Sequence, residues 1–300
     1  MNKIAAVVVT YNRLELLKQC VESLKKQTVP CDILLVNNNS TDTTEEWATS
    51  VSQENNKIKY RNTGANIGGA GGFNFGMRWA VEAGYEFVWL MDDDCLPYED
   101  SLQELLEAHK ILEGKYGWLS SAVLWKDGTA CMMNRQKLED NYYEQMELIR
   151  YGLVRVKQAT FVSLFLCAET IKQVGLPIKE FFIWGDDIEY TRRIAVRYGI
   201  PSFLAGKSQV LHMMGSNSGS NIATDEKERI ERYNYAFRNE NYLYRKEGIK
   251  GVFYYIAKCG WNIIKILRYA KDSKLQRCYI ILSNMIKGLF FNPDIEKVKE

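Results

Sequence analysis

Short apolar runs alternate with helical periodicity through the first half of the chain, the pattern of strand-helix units laid into a mostly parallel sheet. Ile4–Val9 is six apolar residues in succession and predicts a buried first strand. Leu14, Leu17, Val21 and Leu24 recur three or four apart, so Leu14–Lys26 predicts a helix with one apolar face. Ile33–Val36 is a second strand, and the polar turn Asn37-Asn38-Asn39-Ser40-Thr41-Asp42 caps a helix from near Thr43. A weaker strand at Ile58–Tyr60 precedes the glycine-rich segment Gly64–Gly72, a helix through Ala83, and the strand Phe87–Met91. Beyond it, Ser101–Leu112 and Asp187–Tyr198 read as helices, and Trp118–Trp125, Val156–Cys167 and Phe203–Leu211 as strands. From Thr224 to near Phe290 the pattern is helical. The expected division is an α/β domain over 1–220 and a helical C-terminal region over 221–300. Ligands of such open sheets bind beyond the carboxyl ends of the strands, where three loops should converge.

Composition narrows the function. At roughly 100–200 residues per domain, 300 residues fit one large domain, or one with an appendage. A hydrophobic share of 46% with 25% charged residues is that of a globular enzyme. A net charge of +2, without a Lys/Arg tract, argues against nucleic acid as a partner. Seven cysteines, none in a CxxC pair, point to a reducing cytosol. The first apolar run is too short for a signal-peptide core, and no run approaches the ~20 residues of a membrane span.

Asp92-Asp93-Asp94 stands at the mouth of a buried strand, where three like charges repel unless a cation neutralises them. Alternation along an extended backbone lets Asp92 and Asp94 face one ion, and hard oxygen donors favour Mg²⁺ or Mn²⁺. A solvated acidic turn is the plainer alternative. Asn66-Ile67-Gly68-Gly69-Ala70-Gly71-Gly72-Phe73-Asn74 reads as a phosphate cradle at a helix start or as a flexible loop, and is neither a P-loop nor a dinucleotide fingerprint. In Phe181-Phe182-Ile183-Trp184-Gly185-Asp186-Asp187, aromatics offer a wall for a sugar ring beside a general base, or the acids merely cap a helix. His212 follows a strand and could complete the metal site, whereas His109 sits on a Glu/Lys-rich helix.

Taken in this order, the motifs resemble the family 2 glycosyltransferases, inverting enzymes of GT-A fold with a Rossmann-like, mostly parallel central sheet flanked by helices. Val7-Val8-Val9-Thr10-Tyr11-Asn12-Arg13 is similar to the family's opening strand and nucleotide turn, and Val36-Asn37-Asn38-Asn39-Ser40-Thr41-Asp42 to its second-strand signature, with Asn37 where the family usually has Asp. The glycine segment, the triple Asp and Trp184-Gly185-Asp186-Asp187-Ile188-Glu189 resemble the galactofuranosyltransferase and rhamnosyltransferase-like branch. The resemblance implies that Asp92, Asp94 and His212 hold Mn²⁺ or Mg²⁺ and that Asp187 is the catalytic base. It implies that Thr10, Arg13, Asn37, Asn66, Gly69, Asp92 and Asp93 line the nucleotide, with Trp184 and Asp186 in the sugar and acceptor pocket. The expected donor is a UDP- or dTDP-linked sugar, galactofuranose or rhamnose, and the expected acceptor a hydroxyl of a cell-surface polysaccharide or lipid-linked glycan. A sugar nucleotidyltransferase is the rival enzyme, but Thr10-Tyr11-Asn12-Arg13 is not its Gly-rich basic loop; a non-catalytic glycan-binding module is the rival without turnover.

Between Gly248 and Phe291, eight Lys/Arg stand against one acid, Asp272, interleaved with aromatic and aliphatic residues. Helices of this composition lie on anionic membrane surfaces, here the inner face of the cell membrane, or pack on the catalytic domain or a second copy.

Overall fold

The computed structural model describes residues 3–298. Strand β1 (Ile4–Thr10) is buried along its whole length, as a central parallel strand covered on both faces requires. Helix α1 (Leu14–Lys25) buries Leu17, Cys20, Val21 and Leu24 and returns the chain to β2 (Asp32–Asn37). The Asp42 carboxylate accepts the Thr44 N–H at 3.1 Å at the start of α2 (Thr44–Glu54), which leads to β3 (Ile58–Asn62). Helix α3 (Gly68–Glu82) and strand β4 (Phe87–Asp92) complete the parallel part of the sheet. β1 pairs in parallel with β2 and β4, placing Thr10 beside Asn37 and Val9 beside Asp92, so three strand ends open at one place.

The next segment is mixed. It comprises β5 (Cys95–Pro97), α4 (Ser101–Ile111), β6 (Leu119–Trp125), β7 (Lys137–Leu138), α5 (Met146–Ile149) and β8 (Leu153–Gln158). β9 (Leu164–Cys167), α6 (Ala168–Val174), α7 (Asp186–Arg192) and β10 (Phe203–His212) follow. The sheet order is β3-β2-β1-β4-β9-β6-β10-β8-β7, with β5 against β10. β9 runs antiparallel to both β4 and β6, while β10 is parallel to β6.

Three expectations change. Val156–Cys167 is not one strand: the chain leaves the sheet after Gln158 and re-enters at Leu164, past Ser163 at φ 58°. α7 ends at Arg192 and continues as a π-helical turn through Arg197, where its regular hydrogen bonding is broken. The glycine segment is not a loop ahead of a helix, because Gly68 to Gly72 form the first turns of α3 itself. Most of these glycines are required by packing. A Cβ on Gly68 would overlap the Phe182 carbonyl, and one on Gly72 would lie 2.5 Å from Val9 Cγ1. Gly69 alone of the run Gly68–Gly72, apart from Ala70, has open space at that position.

The C-terminal helices α8 (Tyr233–Lys246), α9 (Ile249–Tyr269) and α10 (Lys274–Phe290) enclose a core of their own around Phe237, Tyr255, Ile266 and Ile281. Trp184 and Ile188, from the loop and helix before the α7 bend, pack onto that core. The tail then returns to the sheet domain, where Glu296 accepts from Asn74 and Arg78 at 3.1 and 2.9 Å.

Candidate active site

The short strand β5 brings Asp94 and His212 together although they are far apart in the chain. It runs antiparallel to β10 with Cys95 opposite His212, and the Met213 N–H donates to the Asp94 carbonyl at 2.9 Å. Asp92 arrives from the end of β4, and one donor atom from each of Asp92, Asp94 and His212 lies within 4.8 Å of the others. His212 Nδ1 is 2.7 Å from Asn134 Oδ1, so an N–H there turns Nε2 toward the carboxylates. Asn134 is itself held, donating to Thr160 Oγ1 at 2.7 Å.

Asp93 turns instead toward the end of β1 and the residues after it. It accepts from Thr10 Oγ1 at 2.7 Å and Arg13 at 3.3 Å, and Arg13 also donates to Asp94 at 2.9 Å. Burial raises Asp92 to about 7, assisted by the Asp94 charge, and burial raises Asp93 to about 6 against the pull of Arg13. Burial works against charge on His212, but contact with Asp94 and Cys131 and the Asp92 charge raise it to about 10. The cluster therefore draws positive charge to its centre, a need met by an imidazolium proton or by a divalent cation.

Asp94 Oδ1 is the observation that tests the fit of such a cation. This buried oxygen faces His212 Nε2 at 3.1 Å, a contact that is favourable while the imidazole is protonated, and among the described residues it has no other polar partner. A buried carboxylate oxygen whose one polar neighbour is an imidazole, beside a second carboxylate, suits Mn²⁺ or Mg²⁺.

Asp186 and Asp187 open α7 on the wall of the same cleft of about 870 Å³, with Arg13, Gly69, Trp184 and His212. The loop before them is strained: Phe182 and Trp184 both have φ 62°, ahead of Gly185 at φ 89°. Asn239 of α8, fully buried, holds it by donating to the carbonyls of Phe181 and Trp184 at 3.0 and 2.8 Å. Burial raises both acids. Asp187 reaches about 6, relieved by the Ile188 N–H on its Oδ1 at 2.7 Å. Asp186 is raised by burial first and by the charges of Asp187 and Asp92 after it. Of the two, Asp187 carries the backbone N–H of Ile188 on its carboxylate, which favours its ionised form.

Two predicted nucleotide residues are placed less directly. Asn37 is fully buried with its amide engaged, donating to Tyr60 Oη at 3.1 Å and accepting from the Ser40 N–H at 2.9 Å. Asn66 caps α3 by accepting the Gly68 N–H at 3.0 Å. Neither lines the cleft, nor do the buried Thr10 and Asp93, which meet it only through Arg13. Asn134 and Asn239 lie in segments with no motif and join the site only through the fold, as does Arg232, which lines the cleft.

Residues 5–115 match the profile of Glycosyl transferase family 2. Those residues carry a family 2 glycosyltransferase domain. The galactofuranosyltransferase GlfT1 of Mycolicibacterium smegmatis is 27% identical over 263 residues, covering 82% of this chain and 84% of that protein. Among solved structures, GalNAc-T7 with UDP, GalNAc and Mn²⁺ superposes with a TM-score of 0.68 at 14% identity, over 97% of this chain and 57% of that one. A mannosyltransferase of Pyrobaculum calidifontis in complex with GDP-Man and Mn²⁺ gives 0.55 at 14% identity, over 96% and 73%. The glycosyltransferase thus has the GT-A fold, its parallel core strands extended by an antiparallel region and C-terminal helices.

Proposed function

We propose that this glycosyltransferase moves galactofuranose from UDP-galactofuranose to a hydroxyl of a cell-surface polysaccharide or lipid-linked glycan, inverting the anomeric centre and depending on Mn²⁺ or Mg²⁺. The convergence of Asp92, Asp94 and His212 in the cleft that Asp187 lines carries the reading. The likeness to GlfT1 over most of both chains supports the sugar.

In this reading Asp92, Asp94 and His212 hold the cation, which supplies Lewis-acid stabilisation of the leaving diphosphate. Thr10, Arg13 and Asp93 form a hydrogen-bonded unit that positions the nucleotide, with Asn37 and Asn66 holding the turns beside it. Gly69, bare of a side chain and open to the cleft, lets the diphosphate approach the backbone. Trp184 and Asp186 face the sugar and acceptor. Asp187 takes the proton of the acceptor hydroxyl, whose oxygen then attacks the anomeric carbon from the side opposite the diphosphate. Residues 1–220 carry the catalytic domain, and 221–300 supply the helices that brace its acidic loop.

Incubation with Mn²⁺, a glycan acceptor and a panel including UDP-galactofuranose, UDP-galactopyranose and dTDP-rhamnose, followed by assay of released diphosphate, tests the proposal. UDP release confined to UDP-galactofuranose and abolished by EDTA is expected. Turnover of dTDP-rhamnose alone, or undiminished turnover in EDTA, overturns it.

A further inference from the structure

Helices α9 and α10 each carry two apolar faces, and the protein uses only one of each. On α9, Gly251, Tyr255, Cys259 and Ile266 are buried against the rest of the molecule. Ile249, Phe253, Ile256, Ile264 and Leu267 fall on the opposite side and are exposed, Phe253 by 68% and Leu267 by 60%. α10 repeats the arrangement: Ile280, Ile281 and Asn284 face inward, while Leu275, Tyr279, Leu282, Ile286 and Leu289 face out, the first two 89% and 70% exposed. At 3.6 residues per turn each outer set forms one continuous stripe, and apolar patches of this extent mark an interaction surface.

Charge selects the occupant. Neither helix contains an Asp or Glu. Of the eight Lys/Arg in this region, Lys258 is engaged by Glu240 at 2.6 Å and the buried Arg277 by Asp272 at 2.6 Å. Lys250, Lys265, Arg268, Lys271, Lys274 and Lys287 remain toward solvent. Trp261 and Tyr269, both exposed, add side chains suited to the headgroup level of a bilayer. We infer that α9 and α10 form a docking face for an anionic lipid surface, with their outer stripes among the upper acyl chains and their cations at the headgroups. A second copy of the chain is a poorer occupant, because a two-fold contact would set each cationic face against itself.

The same helix links this face to the cleft. Lys258 and Asn262, on the inner side of α9, line the cavity that holds Asp187. A helix with its side chains is about 10 Å across, so cleft wall and apolar stripe are one helix apart. An acceptor glycan attached to a lipid headgroup would therefore meet the cleft close to where the protein touches the bilayer.

Flotation of the full chain with phosphatidylcholine vesicles, with and without phosphatidylglycerol, tests the inference without any sugar donor, so its result is separate from the identity of the reaction. Wild-type protein should float with the anionic vesicles and stay behind with the neutral ones, and high salt should reduce binding. Phe253→Glu with Leu282→Glu, both at exposed positions, should lower the bound fraction about tenfold or more, since two buried apolar side chains are lost. Lys250→Glu with Arg268→Glu should act in the same direction and covers the case in which the first pair misfolds; circular dichroism checks both. Wild-type protein that ignores anionic vesicles overturns the inference, as does equal flotation of folded variants. A wild-type dimer that Phe253→Glu converts to a monomer would assign the face to a second copy instead.

Discussion

Asp187→Asn is the sharpest probe of the chemistry, because it exchanges the proposed base for an amide of nearly the same shape. The Ile188 N–H that now donates to Oδ1 at 2.7 Å keeps an acceptor in the amide oxygen, so the start of α7 is preserved. What is lost is the proton acceptor. A positioned general base contributes roughly 10²–10⁴-fold, which at about 1.4 kcal/mol per tenfold is about 3 to 5 kcal/mol of the barrier. Turnover should fall by that factor while UDP affinity, read by isothermal titration calorimetry, stays unchanged. The wild-type pH profile carries an independent sign. Burial raises Asp187 to about 6, above the ordinary carboxylate value of about 3.9. Only the ionised form accepts a proton, so kcat should be level above neutrality and fall as pH drops through 6, toward tenfold per unit. Burial also raises Asp92, Asp93 and Asp186, so loss of the limb in Asp187→Asn is what assigns it to Asp187. A variant within about threefold of wild type, or a wild-type limb near 4, would refute the assignment of the base.

Three further perturbations test how the site is held. Asn134→Leu removes the acceptor that orients His212, and should raise the Mn²⁺ concentration needed for half-maximal UDP binding by about 10- to 100-fold; an unchanged metal titration would show that His212 needs no such support. Asn239→Ala leaves the carbonyls of Phe181 and Trp184 without their donor, and should cost about 1–3 kcal/mol in urea unfolding and lower kcat more than donor affinity; equal losses in both would make it a purely structural residue. Glu189→Gln uncouples the fully buried Arg193, which also donates to the carbonyls of Val174 and Leu176 at 3.2 and 3.0 Å, and should destabilise by about 3–5 kcal/mol; a melting temperature within a degree or two of wild type would contradict the burial of that charge.

The parallel part of the sheet was legible because each of its elements satisfies a local rule. Ile4–Thr10 and Phe87–Asp92 are apolar on both faces, and α1 repeats its buried residues every three or four positions. Where the structure departs from the pattern, a tertiary contact has overridden it. The chain at Ser163 leaves the sheet to let its hydroxyl meet Ser121 at 2.6 Å and Trp89 Nε1 at 2.8 Å, and neither partner is near it in sequence. Gly68 to Gly72 carry the signature of a loop, yet they are helical because Phe182, Val9 and Asn38 press against them. A glycine tolerates close approach as readily as a turn, and sequence cannot tell the two apart.

The candidate site divides along the same line. Asp92, Asp94, Asp187 and His212 stood out because carboxylates and an imidazole at strand ends and helix starts are chemically conspicuous, and the fold brings them into one cleft. The residues that hold them there are amides with no signature of their own. Asn134 becomes visible only when the Cys95 to His212 pairing carries the imidazole to it, and Asn239 only when α8 packs under the strained turn. That arrangement makes the C-terminal helices part of the catalytic apparatus in the proposed reading. The helix pair carrying the outward apolar stripes packs on α8, whose Asn239 fixes the loop before Asp187, so the proposed docking face and the proposed base share one small core. If that core transmits strain, anionic vesicles should change the kcat of wild-type protein on a soluble acceptor and leave the kcat of Phe253→Glu/Leu282→Glu unmoved, an outcome that flotation alone would not require.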